Sequence, residues 1–278
     1  MAVLSRAAMV LTMMGLAATS ALSQPSLISM TTDVPLPDGL SYDFHALSCS
    51  NLQNMVRDAV QGAMARDAGV VPGLLRLFFH DCFPQGCDAS ILLTGGNSEQ
   101  NMPQNGGLRR SVLDLIEGIR ATVHRACGPT VSCADITSLA TKEAVMQSRL
   151  PGYDVPLGRR DSLAPATAQQ VGILPGPDFN DLDVTTPNTF DNRYYNNLQV
   201  GRGVLNSDMA LTHDGETRNW VNNFAGNQGW FFSQFSTSMR KLAHLPGGNI
   251  GEIRNNCFRR NGNGESVVLA AEIFAAFA

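Results

Sequence analysis

The sequence predicts an all-α, mainly helical protein built in two lobes, on three observations. Apolar residues recur at helical spacing in four segments, Gly and Pro gather in the connectors between them, and alternating strand patterns are few. The chain has 278 residues, 44% hydrophobic and 16% charged, enough apolar material for one large domain or two lobes around a shared core. No internal repeat is present.

The first stripe is Leu52, Met55, Val56, Ala59, Val60 and Ala63, with Ser50 ahead of it as the expected cap. A second runs through Val112, Leu115, Ile116, Ile119 and Val123, entered by Ser111 and Asp114 at capping-box spacing. The same spacing recurs at Ser132 and Asp135 before Ile136, Leu139 and Ala140. Phe231, Phe235, Met239 and Leu242 form the last. The Gly/Pro-rich connectors at 152–177 and 245–251 are expected to be non-helical.

Arg6, the apolar run from Ala7 to Ala18 and the small residues Ala21 and Ser23 predict a signal peptide over 1–23, cleaved before Gln24. That run is too short to span a bilayer, as is the apolar tail 266–278, so no membrane partner is expected. Six cysteines remain behind the leader, an even number that predicts full disulfide pairing in an oxidising compartment. Only Cys82 with Cys87 suggests itself locally, and the other pairings stay open. A net charge of -4, with no basic cluster beyond Arg109-Arg110 and Arg259-Arg260, argues against nucleic acid as a partner. The absence of an Asn-x-Ser/Thr sequon predicts no N-glycan.

The most informative stretch, 74–93, reads LLRLFFHDCFPQGCDASILL. Arg76 and His80 are four apart, so on a helix both project into the same small space. A neutral imidazole there takes a proton from a hydroperoxide and returns it to the departing oxygen, while the guanidinium stabilises the charge that develops. By itself, such a pair is more often structural. Next to it, Asp81, Asp88 and Ser90 offer hard oxygen ligands, Pro84 and Gly86 offer carbonyls, and Cys82 with Cys87 would close the loop into a cradle suited to calcium. On the carboxylates alone, a solvated acidic turn is the competing reading.

This stretch resembles the distal-site signature of the secretory plant haem peroxidases, the class III family, with Pro84 where a Val is usual. The resemblance continues through VSCADI at 131–136, VPLGRRD at 155–161, LPGP at 174–177, LDVTTPNTFDN at 182–192 and GEIRNNC at 251–257. It implies a haem-peroxidase fold over 24–260, two helical lobes around a haem b site, and a C-terminal extension over 261–278. It also implies a monomer that reduces hydrogen peroxide and oxidises small phenolic donors one electron at a time. Export to the wall or apoplast is implied, with the vacuole as the alternative that the tail suggests.

Carried over by resemblance, His80 is the distal acid-base group, Arg76 its charge partner and Phe79 a wall over the haem. Asn105 accepts the other ring N–H of His80, Pro175 lines the donor entrance, and Glu99 belongs with the distal calcium set of Asp81, Pro84, Gly86, Asp88 and Ser90. The implied disulfides are Cys49 with Cys127, Cys82 with Cys87, and Cys133 with Cys257. Asp135 is expected to pair with Arg159 or Arg160 in the interior.

The chain also departs from the family. Relatives pass from the LPxP segment through several helices, with a Ser-Gly-Ala-His-Thr-like motif, before the LDVTTP segment; here residues 178–181 run straight into Leu182. The resemblance therefore implies that the proximal histidine, a threonine of a second calcium site and one cysteine pair are missing between 181 and 182. His45, His124, His213 and His244 are expected at the surface rather than as substitutes. Asp208 matches the aspartate that orients the absent histidine and is expected to lack its partner, and Asp183, Thr186 and Asp191 match an incomplete calcium site. The alternative function is an impaired form, from splicing or a gene-model error, acting at most as a secreted calcium-binding protein.

Overall fold

The computed structural model describes residues 35–176, 181–248 and 250–262. The expected signal peptide, and the extension apart from Asn261 and Gly262, lie outside the described residues. The first lobe holds α1 (Leu52–Met64), α2 (Val70–Gln85), α3 (Arg110–Cys127) and α4 (Cys133–Gln147), which pack on one another. A one-turn helix, α5 (Ala168–Val171), rests on α2. The second lobe holds α6 (Arg193–Gln199), α7 (Asn206–Ala210), α8 (Gly215–Gly226) and α9 (Gln228–Ala243). There α8 packs on both α6 and α9, and α9 reaches back to α2. Extended pairing among the described residues is confined to three isolated bridges.

The stripes became the buried faces for the reason that their spacing gives. Leu52, Val56, Val60 and Ala63 of α1 are buried, as are Val112, Ile116, Ile119 and Val123 of α3 and all four apolar positions named for α9. The connectors stay non-helical over their described residues except for the single turn of α5, which Thr167 and Gln170 hold in a capping box.

Two caps differ from expectation. α1 begins after Asn51 without a side-chain cap, so Ser50 does not serve, and α3 begins at Arg110, placing Ser111 inside the helix. Asp114 pairs with Arg110 at 2.9 Å across one helical turn. Ser132 does cap α4, accepting from the Asp135 N–H at 3.1 Å, but the Asp135 carboxylate does not reach back to complete a box. It is drawn inward, where it accepts from the Gly158 N–H at 2.8 Å and faces Arg159 Nη1 at 3.5 Å and His45 Nε2 at 3.0 Å. Arg159 rather than Arg160 is therefore the ion partner, and both ends of that pair have no exposed side-chain surface. Buried as it is, the carboxylate takes several donors here where a reciprocal cap would supply one.

The cysteines pair as the resemblance implied, Cys49 with Cys127, Cys82 with Cys87 and Cys133 with Cys257. Asp161 and Arg254 join the last of these to the core. Asp161 accepts from the N–H groups of Cys133, Ala134 and Arg254, while the fully buried Arg254 guanidinium donates to the carbonyls of Ala89 at 2.6 Å and Cys257. Burial pushes the Asp161 carboxyl up to about 6, against the pull of Arg254 and those backbone donors.

Candidate active site

α2 positions the chemistry. Twelve of its sixteen residues are buried, so the helix runs through the interior of the first lobe rather than along its surface. Arg76 and His80 lie one turn apart on it, at 7% and 1% exposure. His80 Nδ1 sits 2.6 Å from Asn105 Oδ1, and the Asn105 amide is itself held by its Nδ2 donating to the Glu99 carbonyl at 2.9 Å. With the amide oxygen fixed toward the ring, a neutral His80 carries its proton on Nδ1 and its basic lone pair on Nε2. Arg76 donates from Nη2 to the Gln104 carbonyl at 3.0 Å, in the turn that also carries Asn105. Gly107 makes room for that guanidinium, since a Cβ there would stand 2.9 Å from Arg76 Cζ. Phe79 stacks on Phe83 at 4.8 Å beside His80.

The loop after α2 folds back on the same helix. Gly86 at φ +103° turns the chain where a side chain would strike the Pro246 carbonyl. The Cys87 N–H donates to that carbonyl at 3.2 Å. Asp81 accepts from the Ala89 N–H at 3.0 Å, Asp88 from the Ser90 N–H at 3.0 Å and Gln85 Nε2 at 2.9 Å, and Glu99 from the Ala166 N–H at 2.7 Å. Asp81 Oδ1, Ser90 Oγ and Glu99 Oε2 are nonetheless buried without a hydrogen-bond partner. Burial raises the Asp81, Asp88 and Glu99 carboxyls alike, and the Asp88 charge adds to the rise at Asp81. No three acidic, histidine or cysteine side chains among the described residues stand close enough to hold an ion by themselves, so a cation here would also need Ser90 and backbone carbonyls.

The other expected site residues are distributed as follows. Asp183, Thr186 and Asp191 do come together, with Thr186 Oγ1 2.8 Å from Asp183 Oδ2 and 3.0 Å from Asp191 Oδ2. Pro175 is exposed in the loop after α5. Asp208 is fully buried and, in place of a histidine, has other partners: it accepts from the Tyr194 hydroxyl at 2.9 Å and from the Leu205 N–H at 2.9 Å. Only His213 is exposed as expected. His45 is buried at 4%, bonded to Asp135 at 3.0 Å and Ser48 at 3.1 Å. His124 is half-buried, and burial lowers its ring pKa against the opposing hydrogen bond to the Val131 carbonyl; His244 bonds the Arg240 carbonyl and Tyr42. The acceptors that hold these three rings lie 90, 7 and 4 residues away along the chain. Val200 is exposed on the second lobe between Gln199 and Gly201, which line a cleft of about 550 Å³ together with Leu198, Met209, Arg218 and Val221.

Mainly helical lobes with a buried Arg–His turn and an amide-held imidazole define the all-α fold class of the haem peroxidases. A family model described as peroxidase matches residues 56–184 and 178–227. The chain is 36% identical to "Cationic peroxidase SPC4" of Sorghum bicolor over 309 aligned positions, with 84% of this chain and 85% of the relative covered. It is 33% identical to "Peroxidase 12" of Arabidopsis thaliana over 303 positions, covering 82% and 85%, and 32% identical to "Peroxidase 22.3" of Oryza sativa subsp. japonica over 319, covering 89% and 100%. The chain belongs to the peroxidase family of oxidoreductases acting on hydrogen peroxide. All three alignments span more positions than this chain's 278 residues, so each relative carries residues with no counterpart here. No described helix is long and apolar enough to cross a membrane.

Proposed function

We propose that this scaffold serves the reduction of hydrogen peroxide by small phenolic donors, one electron at a time, and that the chain carries the peroxide-handling half of that machinery. The observation behind this reading is the 2.6 Å contact between His80 and Asn105, with Arg76 one turn away. In that role, His80 Nε2 takes a proton from hydrogen peroxide and holds it for the departing oxygen, while Arg76 stabilises the negative charge that develops there. Phe79 walls the space and Pro175 lines the donor entrance.

Haem b is the group that the family implies, and when bound it supplies the redox equivalents. The distal residues fit it. The proximal side does not, because His45, His124 and His244 are held by other partners, His213 is exposed, and Asp208 is bonded to Tyr194. We attribute this to the loss of the ligand-bearing segment between 181 and 182, a reading that the long relative alignments support. No step through haem is derived for the chain as it stands. Calcium is assigned to Asp81, Asp88 and Ser90 with the carbonyls of Pro84 and Gly86, and Glu99 behind them; the three orphaned buried oxygens support it. The leader-like N-terminus and three disulfides support secretion.

The same orphaned oxygens favour a second reading, a secreted calcium-binding protein without haem. Haem titration separates the two. A Soret band of imidazole-ligated character rejects the second reading; no band and no peroxide-dependent donor oxidation rejects the first for this chain.

A further inference from the structure

The second lobe carries a continuous ladder of aromatic rings that none of the chemistry above uses. At its outer end Trp220 of α8 and Trp230 of α9 stack with centroids 5.3 Å apart and planes 10° from parallel, both half-buried. Phe224 lies 5.7 Å from Trp220 and 5.0 Å from Trp230, Tyr195 lies 5.1 Å from Phe224, and Tyr194 lies 5.1 Å from Tyr195. At its inner end the Tyr194 hydroxyl donates to Asp208 Oδ1 at 2.9 Å, with both residues fully buried. Every step between the surface indoles and the buried phenol is therefore a ring-to-ring contact.

Indole and phenol are among the side chains that most readily give up one electron. A buried phenol does so only if its proton leaves at the same time, because a phenol cation radical has no solvent to support it. Asp208 is an acceptor already at hydrogen-bond distance. Burial and the Asp208 charge hold the Tyr194 hydroxyl well above the usual tyrosine range, so it rests protonated with its proton directed at that carboxylate.

We propose that the Trp220–Trp230 stack and the Tyr194–Asp208 pair form a one-electron relay, in which an oxidising equivalent delivered to the indoles by a small radical passes inward to Tyr194. The incoming radical, of the azidyl or organic peroxyl class, takes one electron from the indole stack and leaves as its anion. Tyr194 then gives one electron through the Tyr195 and Phe224 rings to the oxidised indole, which is restored as it takes back from water the N–H proton that it lost there on oxidation. The phenolic O–H bond breaks, its proton moves to Asp208, and a neutral tyrosyl radical remains beside a carboxylic acid. The relay needs no haem and is independent of the function proposed above.

Pulse radiolysis of the haem-free chain with azide tests it. The indolyl absorbance is expected to decay while the tyrosyl absorbance grows at the same first-order rate, unchanged by dilution. Tyr194→Phe is expected to abolish that growth. Tyr195→Phe, which keeps a ring in the ladder, is expected to retain it, and Asp208→Asn is expected to slow it about tenfold. A Tyr42→Phe, Tyr153→Phe double variant leaves only the ladder tyrosines and is expected to retain the growth, so the test stands even if Tyr194→Phe does not fold. Growth that survives Tyr194→Phe, that is lost in the Tyr42/Tyr153 variant, or that scales with protein concentration overturns the relay.

Discussion

Asp81, Ser90 and Glu99 each keep a buried oxygen without a hydrogen-bond partner, whereas around Asp183 the acidic oxygens have found partners within the chain. Asp183 accepts from the N–H groups of Thr185 and Thr186, from the Thr186 hydroxyl and from Asn197 Nδ2. Asp208 likewise has Tyr194 and Leu205. The two acidic centres, both expected from the sequence as calcium sites, therefore differ in what they still need. A loop that stays unsatisfied when buried calls for an ion from outside, because an unpaired buried oxygen costs free energy. Carboxylates that have closed on local donors have little left to offer one.

Removing a group from the first lobe should cut function most deeply. In any haem-loaded form that turns over peroxide, His80→Gln is expected to lower donor oxidation by about 10²–10⁴-fold, measured as initial rate. Turnover unchanged by that substitution would break the assignment of the peroxide chemistry to α2. Next comes the lock that holds the distal loop to the C-terminal segment. Asp161→Asn would set an amide NH2 group against the backbone N–H groups of Cys133 and Arg254, from which Asp161 Oδ2 accepts, and is expected to cost about 1–3 kcal/mol in a denaturant titration.

The same aspartate gives the fold a pH dependence of known sign. Its folded-state value of about 6 lies above the ordinary 3.8, so the folded protein holds the proton more tightly. The stability that this contributes is fully present below about pH 3.8 and is lost as pH rises through about 6, roughly 3 kcal/mol in all. Denaturant titrations at pH 4 and pH 7 should show a steeper loss in the native sequence than in Asp161→Asn, the remaining slope belonging to Asp81, Asp88 and Glu99, which burial also raises.

Calcium sharpens the contrast between the two acidic centres directly. At a hundred times its dissociation constant, the ion is expected to add about 2.7 kcal/mol, read as a rise in Tm over a chelator control. Asp88→Asn should remove that gain and Asp183→Asn should leave it; the reverse pattern would exchange the two sites. The smallest effect belongs to Gly107. Replacement by Ala should crowd Arg76, costing about 1–3 kcal/mol in stability and weakening any anion held at the site.

Legibility in the sequence followed amphipathicity. Helices α1, α3 and α9 each keep one wet face, so their apolar residues recur at helical spacing and were readable. α2 is wrapped on nearly every side, so its composition shows no face, and only the Arg76–His80 spacing and the resemblance marked it. The distal residues were legible because they sit within one short stretch. Gly107 as the space for Arg76, and Arg254 as the clasp on Ala89, were not, since each acts on a residue far away in the chain.

From the order of its residues alone, this protein determined its helical class, its three disulfides by resemblance, and a base and a cation one turn apart, because these depend on local spacing or on a shared signature. The tertiary structure alone decided which carboxylates would be satisfied. His45 reached Asp135 across 90 residues and Tyr194 reached Asp208 across a turn between helices. Such pairings are set by which buried donor lies nearest once the lobes close, and burial is what makes each of them worth forming.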